Sequence, residues 1–157
     1  MIDPKAGTGN GYIANLKLAQ RHRRHEMSTL GTSALAEAIL DQMADAMIYA
    51  DREGKIRLWN RAAVALFGYE AAEALGNSID IIVPERLREP HWRGFDAAMA
   101  SGTLKLSGRP TLTRAQHKDG NRLYIEMSFA LVKEGDGKAI GSVAVARLAP
   151  PRATGPS

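Results

Sequence analysis

The sequence predicts an α+β domain, an antiparallel sheet with short helices gathered on one face. Two observations lead there. Runs in which apolar and polar residues alternate are joined by glycine-bearing turns, and between the second and third strand candidates lie several short stretches with helical spacing and helix-stopping glycines. The order is one helix, two strands, several short helices and then strands to the end. Helices segregated on one face of an antiparallel sheet are the packing solution for such an order. At 157 residues, 45% of them apolar, the chain holds one domain's worth of sequence, long enough to bury about two thirds of its unfolded surface without staples.

Leu35, Ile39, Met43 and Met47 follow one another at intervals of four, which predicts an apolar stripe on a helix from Ser33 to Asp45, capped by Thr32 or Ser33. Ala46 to Ala50 reads as a strand. Asp51 to Lys55 reads as a turn in which Gly54 takes a positive φ, and Ile56 to Trp59 pairs back as a hairpin. Asn60 is suited to N-cap Arg61 to Phe67, and Gly68 ends that helix. Glu70 to Leu75 is a second short helix stopped by Gly76. Ile79 to Val83 is an apolar run closed by Pro84. Pro90 obstructs the helical stretch that follows, so the main helix is expected from about His91 to Ala100, with Ser101 and Gly102 ending it. Leu104 to Leu106, Thr111 to Gln116, Leu123 to Val132 and Ala139 to Arg147 are strand-like, with turns at Lys118 to Asn121 and Glu134 to Gly137. Leu123, Ile125, Met127 and Phe129 put an oily face on the long strand, opposite Glu126 and Ser128.

The boundaries expected are a basic leader over 1–32, the domain over 33–147 and a Pro/Gly/Ser-rich tail over 148–157. A second methionine at Met27 makes a start-site artefact the first reading of the leader; a basic arm touching phosphates is the alternative. Residues 1–27 carry five basic and two acidic side chains, residues 28–146 fourteen and fifteen, and residues 147–157 two arginines. The net charge of +4 therefore sits in the tails, and the near-neutral domain argues against a nucleic-acid-binding globule.

With no cysteine, the chain cannot build a disulfide framework, a thiolate metal site, a cysteine nucleophile or a cysteinyl photoadduct. No apolar run approaches the roughly 18 residues of a membrane span, and no signal peptide opens the chain, so a cytoplasmic protein without membrane contact is expected. Phosphate-loop, nucleophile-elbow and His-Glu-x-x-His patterns are missing, and no catalytic activity is expected. A cavity between helices and sheet is the natural place for function.

Asp51-x-x-Gly54-x-Ile56-x-x-Trp59-Asn60-x-Ala62-Ala63-x-x-Leu66-Phe67-Gly68-Tyr69, then Glu73-Ala74-Leu75-Gly76, Pro84-Glu85 and Lys118-Asp119-Gly120 before a long strand, together resemble a PAS domain. The resemblance runs from Leu35 to about Arg147. It implies a five-stranded antiparallel sheet in spatial order 2-1-5-4-3 around a sensing pocket, and a sensory module whose ligand the fold alone does not name. Pro84-Glu85-x-x-Arg88-x-x-His91 resembles the segment in which haem-binding PAS oxygen sensors place their proximal histidine, which makes His91 the counterpart. The implied cofactor is b-type haem on His91, sensing a diatomic gas, in a pocket of Ile79, Ile82, Leu104, Leu106, Leu112, Met127 and Phe129. Ser107-Gly108-Arg109 resembles those sensors' Gly-Arg pair, whose arginine bonds the gas or a haem propionate. A haem-free interaction module and a pocket for another small molecule, such as noncovalent flavin, stay open. With no output domain expected after Arg147, signalling would run through a separate output protein and through a homodimer formed by the helix over 33–45.

Overall fold

A computed structural model of the protein describes residues 31–105 and 108–150; the expected leader up to residue 30, the pocket candidate Leu106 and the tail from 151 lie outside the described residues. The chain divides into two compact units after Ile39. The described part of the first is helical, with Leu35 and Ile39 exposed. That helix, α1, runs over 31–42 and stops short of the expected Asp45. The reason is local. The Asn60 side-chain amide donates to the Leu40 carbonyl (2.9 Å), the acceptor that residue 44 would need for the helix to continue, and to the Asp45 carbonyl (3.1 Å) just before β1.

The second unit holds β1 (Ala46–Asp51), β2 (Ile56–Trp59), α2 (Arg61–Phe67), α3 (Ala71–Ala74), a 3-10 turn (Ile79–Ile81), α4 (Glu85–Ser101), β3 (Thr111–Gln116), β4 (Arg122–Lys133) and β5 (Ala139–Leu148). All pairings are antiparallel and the strand order is β2-β1-β5-β4-β3. The hairpin turn works as its residues predict. Gly54 has φ +70, and the Asp51 carboxylate accepts from the Glu53 and Lys55 amides. Asn60 caps α2 by accepting from the Ala63 amide, and Gly68 closes it with φ +79. Ile48, Ile56, Phe67 and Ile125 are the largest fully buried side chains, each worth about 1.5–3 kcal/mol of apolar burial.

Two local expectations are corrected. Helix α4 begins at Glu85 and runs through Pro90. A proline at that position removes one backbone bond, to the Arg86 carbonyl, but Arg86 and Pro90 are both exposed, so the interruption falls on the solvent side of the helix and not in the core. Leu104 and Lys105 form no strand. β3 pairs with β4 only as far as Thr111 opposite Met127, and Pro110, which has no amide proton to donate, interrupts the chain before it; of the β4 edge beyond, the Phe129 carbonyl accepts from the Gly108 amide.

Candidate functional site

The inward faces of three strands form a floor. Ile48 on β1 lies opposite Ala144 on β5, which lies opposite Phe129 on β4; the next row is Ala50, Ser142 and Leu131. Small side chains at Ala50, Ser142 and Ala144 leave this floor hollow. Helix α4 crosses above it with Gly94, Ala97 and Ala98, also small. The result is a largely apolar cavity of about 610 Å³, within the roughly 300–1,000 Å³ of small-molecule sites. Ile79, Phe95, Met99 and Leu104 contribute to its walls, and Ser101 and Thr103 add hydroxyls.

His91 lines this cavity. Its ring stands edge-on to Trp92, with centroids 5.5 Å apart, and stacks on Phe95 at 6.2 Å. Burial pushes its pKa below the ordinary histidine value, with the Asp80 carboxylate partly opposing, so the imidazole is neutral at neutral pH and keeps a lone pair for a ligand. Nδ1 is buried with no hydrogen-bond partner. An orphaned buried nitrogen costs about 1–3 kcal/mol, and such a group in a folded protein calls for a functional or ligand-based explanation.

The start of α4 is fixed by its own side chains. Trp92 donates its indole N–H to Asp80 Oδ1 (2.9 Å), and Arg88 donates to the Val83 and Asp80 carbonyls (3.2 Å each). The Trp92 ring also lies against Gly54, where a Cβ would collide with it. Trp92, the residue after His91, is thereby held between the 3-10 turn and the β1–β2 turn.

Of the residues singled out from the sequence, His91, Ile79, Leu104 and Phe129 meet in the cavity. Ile82 and Met127 are buried in the adjoining core. Leu112 is 57% exposed, because its register opposite Glu126 turns it to the other sheet face. Arg109 is exposed and is not among the described lining residues. Sequence reasoning missed Phe95, Ala98 and the small β5 residues, although His91, Phe95 and Ala98 at i, i+4 and i+7 carry a readable helical stripe. Lys105, read only as part of a strand, lines the cavity as well.

A helix-roofed cavity on an antiparallel sheet of this order defines a ligand-pocket sensory domain. The chain belongs to the PAS family, whose PAS fold matches residues 34–148. Sensor protein FixL of Bradyrhizobium diazoefficiens is 29% identical over 98 residues, 62% of this chain and 19% of that protein. Oxygen sensor protein DosP of Escherichia coli is 25% identical over 99 residues, 63% of this chain and 12% of that protein. The match thus spans a fifth or less of these relatives' length. Among solved structures, the PAS domain of a Colwellia psychrerythraea protein is similar with a TM-score of 0.65 at 20% identity, covering 75% of this chain and 97% of that one. The PAS domain of an HTR-like protein from Haloarcula marismortui is similar at 0.62 and 21%, covering 81% and 99%. No helix among the described residues is long and apolar enough to cross a membrane.

Proposed function

We infer that this PAS sensory domain holds b-type haem in its cavity, with His91 as the axial ligand, and senses a diatomic gas. The observation that carries the reading is the neutral imidazole of His91 on the wall of a 610 Å³ apolar cavity, its Nδ1 unpartnered. Among the described residues no three His, Asp or Glu side chains gather to hold a bare metal ion, whereas a porphyrin brings four nitrogens of its own and asks one imidazole of the protein. Bound haem would supply the iron at which the gas is taken up. The protein's part is to hold the ring: Phe95 and Trp92 set the plane of the imidazole, and the small floor residues leave room for a flat apolar body. The names of the relatives, a sensor protein and an oxygen sensor protein, support the same reading. Haemin added to the purified protein should give a Soret band that His91→Ala abolishes or shifts. A missing band, or one unmoved by that substitution, overturns the reading.

The output is proposed to run through self-association and a separate partner protein. Leu35 is 61% and Ile39 55% exposed on α1, an apolar stripe suited to a second subunit. The double substitution Leu35→Glu and Ile39→Glu should turn a dimer into a monomer in light scattering. A wild-type monomer at 100 μM, or a dimer indifferent to the change, counts against this route.

A further inference from the structure

The two edges of the sheet are finished differently. At β2 the chain closes the edge itself: the Ile56 amide donates to the Asn77 carbonyl (2.9 Å), the Gly76 amide donates to the Ile56 carbonyl (2.8 Å), and Lys55 forms a single bridge with Ser78. β3 is the opposite edge. Its last residue is covered, since the Gln116 amide donates to the Ile82 carbonyl (2.9 Å). That bond fixes where the other groups point, because residues of an antiparallel pair alternate between bonding their neighbour and turning away from it. The His117 amide donates to Asn121 across the β3–β4 turn while Gln116 donates outward. Thr111, Thr113 and Ala115 therefore serve the ladder with β4, and Leu112 and Arg114 turn their amides and carbonyls to the open side. Among the described residues none of these four groups has a backbone partner.

The side chains beside this edge favour one sign of charge. Leu112 is 57% and Tyr124 52% exposed on the outer face. Arg114, opposite Tyr124, and Arg122, opposite Gln116, share that face and are exposed. Neither arginine has an ion-pair partner among the described residues, and Glu126, opposite Leu112, sets one negative charge against the two. From this edge we propose that β3 docks an extended acidic segment of a partner protein, which joins the sheet as a further strand beside Leu112 and Arg114. Main-chain bonds to the four open groups set its register, and its carboxylates meet Arg114 and Arg122 around Leu112 and Tyr124. Charge disfavours the chain's own ends as the occupant, since residues 1–27 and 147–157 are both net basic. It disfavours a second β3 as well, whose arginines would face these. A nucleic acid would meet the arginines but leave the main-chain groups unused. The inference rests on the separate partner proposed for the output, and on neither haem nor the α1 contact.

The test titrates the whole protein with a fluorescent short peptide alternating glutamate and valine. The comparators are the same peptide N-methylated at every residue, its lysine-for-glutamate counterpart and an oligothymidylate of equal charge. Expected is binding of the acidic peptide alone, with the Leu112 and Arg114 amide protons gaining protection from hydrogen exchange. Arg114→Glu should weaken binding about tenfold, and N-methylation about fivefold or more. Leu112→Pro should weaken it too, because it removes an outward amide and no bond to β4; where that variant does not fold, Arg114→Glu and the N-methylated peptide decide. Equal affinity for the methylated and unmethylated peptides, or for the oligothymidylate, overturns strand addition in favour of a merely basic surface. No binding of the acidic peptide at 1 mM refutes the proposal outright, and leaves His91 ligation and the α1 dimer to their own tests.

Discussion

Asn60 offers the sharpest test of how this fold is held. Its side chain is 4% exposed in the residue as a whole and uses all of its hydrogen-bonding ends. Oδ1 accepts from the Met47 amide (2.9 Å) and the Ala63 amide (3.0 Å), and Nδ2 donates to the Leu40 and Asp45 carbonyls. One residue thus joins the end of α1, the start of β1 and the start of α2. Asn60→Ala loses the cap, worth about 1 kcal/mol. The Ala63 amide keeps the Asn60 backbone carbonyl at 3.0 Å, but the Met47 amide loses its side-chain acceptor and the two carbonyls lose their donor, at about 1–3 kcal/mol for a buried group left unsatisfied. The expected total is about 2–4 kcal/mol, a large share of the roughly 5–15 kcal/mol that holds a typical domain.

Urea unfolding followed by circular dichroism measures this directly. At a slope of about 2 kcal/mol per molar, the midpoint should fall by about 1–2 M. A fall below about 0.5 M refutes the reasoning. Asn60→Asp separates the two halves of the network, because aspartate caps a helix as well as asparagine does but sets a carboxylate oxygen against the Leu40 and Asp45 carbonyls. It should therefore be destabilised at pH 7 despite its good capping. Near-wild-type behaviour would show that only the cap matters.

Gly54→Ala puts a Cβ at φ +70 and into the Trp92 ring, so it should cost about 1–3 kcal/mol and alter tryptophan fluorescence; in a Trp92→Ala background the penalty should shrink, and strict additivity of the two changes would refute the contact. Asp51 supplies a pH test. Burial acts to raise its carboxyl pKa, but the bonds from Arg57 and from the Lys55 and Glu53 amides outweigh it and hold the pKa below the ordinary aspartate value. Because the folded pKa lies below the unfolded one, the stabilisation is present above about pH 4 and is lost as the pH falls through the folded value. Wild type should exceed Asp51→Asn in urea midpoint at pH 7, and the gap should close on acidification below about pH 4; a gap equal at pH 7 and pH 3 counts against the assignment.

What was legible in the sequence was what the backbone decides locally. Asn60, Gly54 and Gly68 announce a cap, a turn and a stop because each solves a backbone problem within four residues of itself. The five-stranded order was legible through the PAS-like motifs, which mark positions where distant elements meet. Pro90 misled for the opposite reason: its local cost is real, yet a helix whose affected turn is exposed and whose flanks are tied by Arg88 and Trp92 tolerates it. Leu104-Lys105-Leu106 alternates like a strand, but no pattern of three residues reveals that regular pairing on this side of β4 starts only at Thr111 opposite Met127, after Pro110.

The same limit explains the candidate site. Thr111, Thr113 and Ala115 take the inward positions of β3, which sends the more apolar Leu112 outward; only the pairing register, which sets Leu112 opposite Glu126 and Thr111 opposite Met127, fixes that choice. His91 was legible because a motif marked it. A cavity between helices and sheet was expected, with Ile79, Leu104 and Phe129 on its wall, but the residues that open its space were not, since a cavity is made by what is small, and Ala50, Ser142 and Ala144 look unremarkable until three strands set them side by side. The unformed strand at Leu104 and Lys105 then has a consequence. A regular strand there would add backbone along the β4 edge and alternate its side chains between the two faces, whereas the irregular segment brings Leu104 and Lys105, adjacent in sequence, to one cavity. The departure from regular structure is thus what places an apolar wall and a cation together at the site.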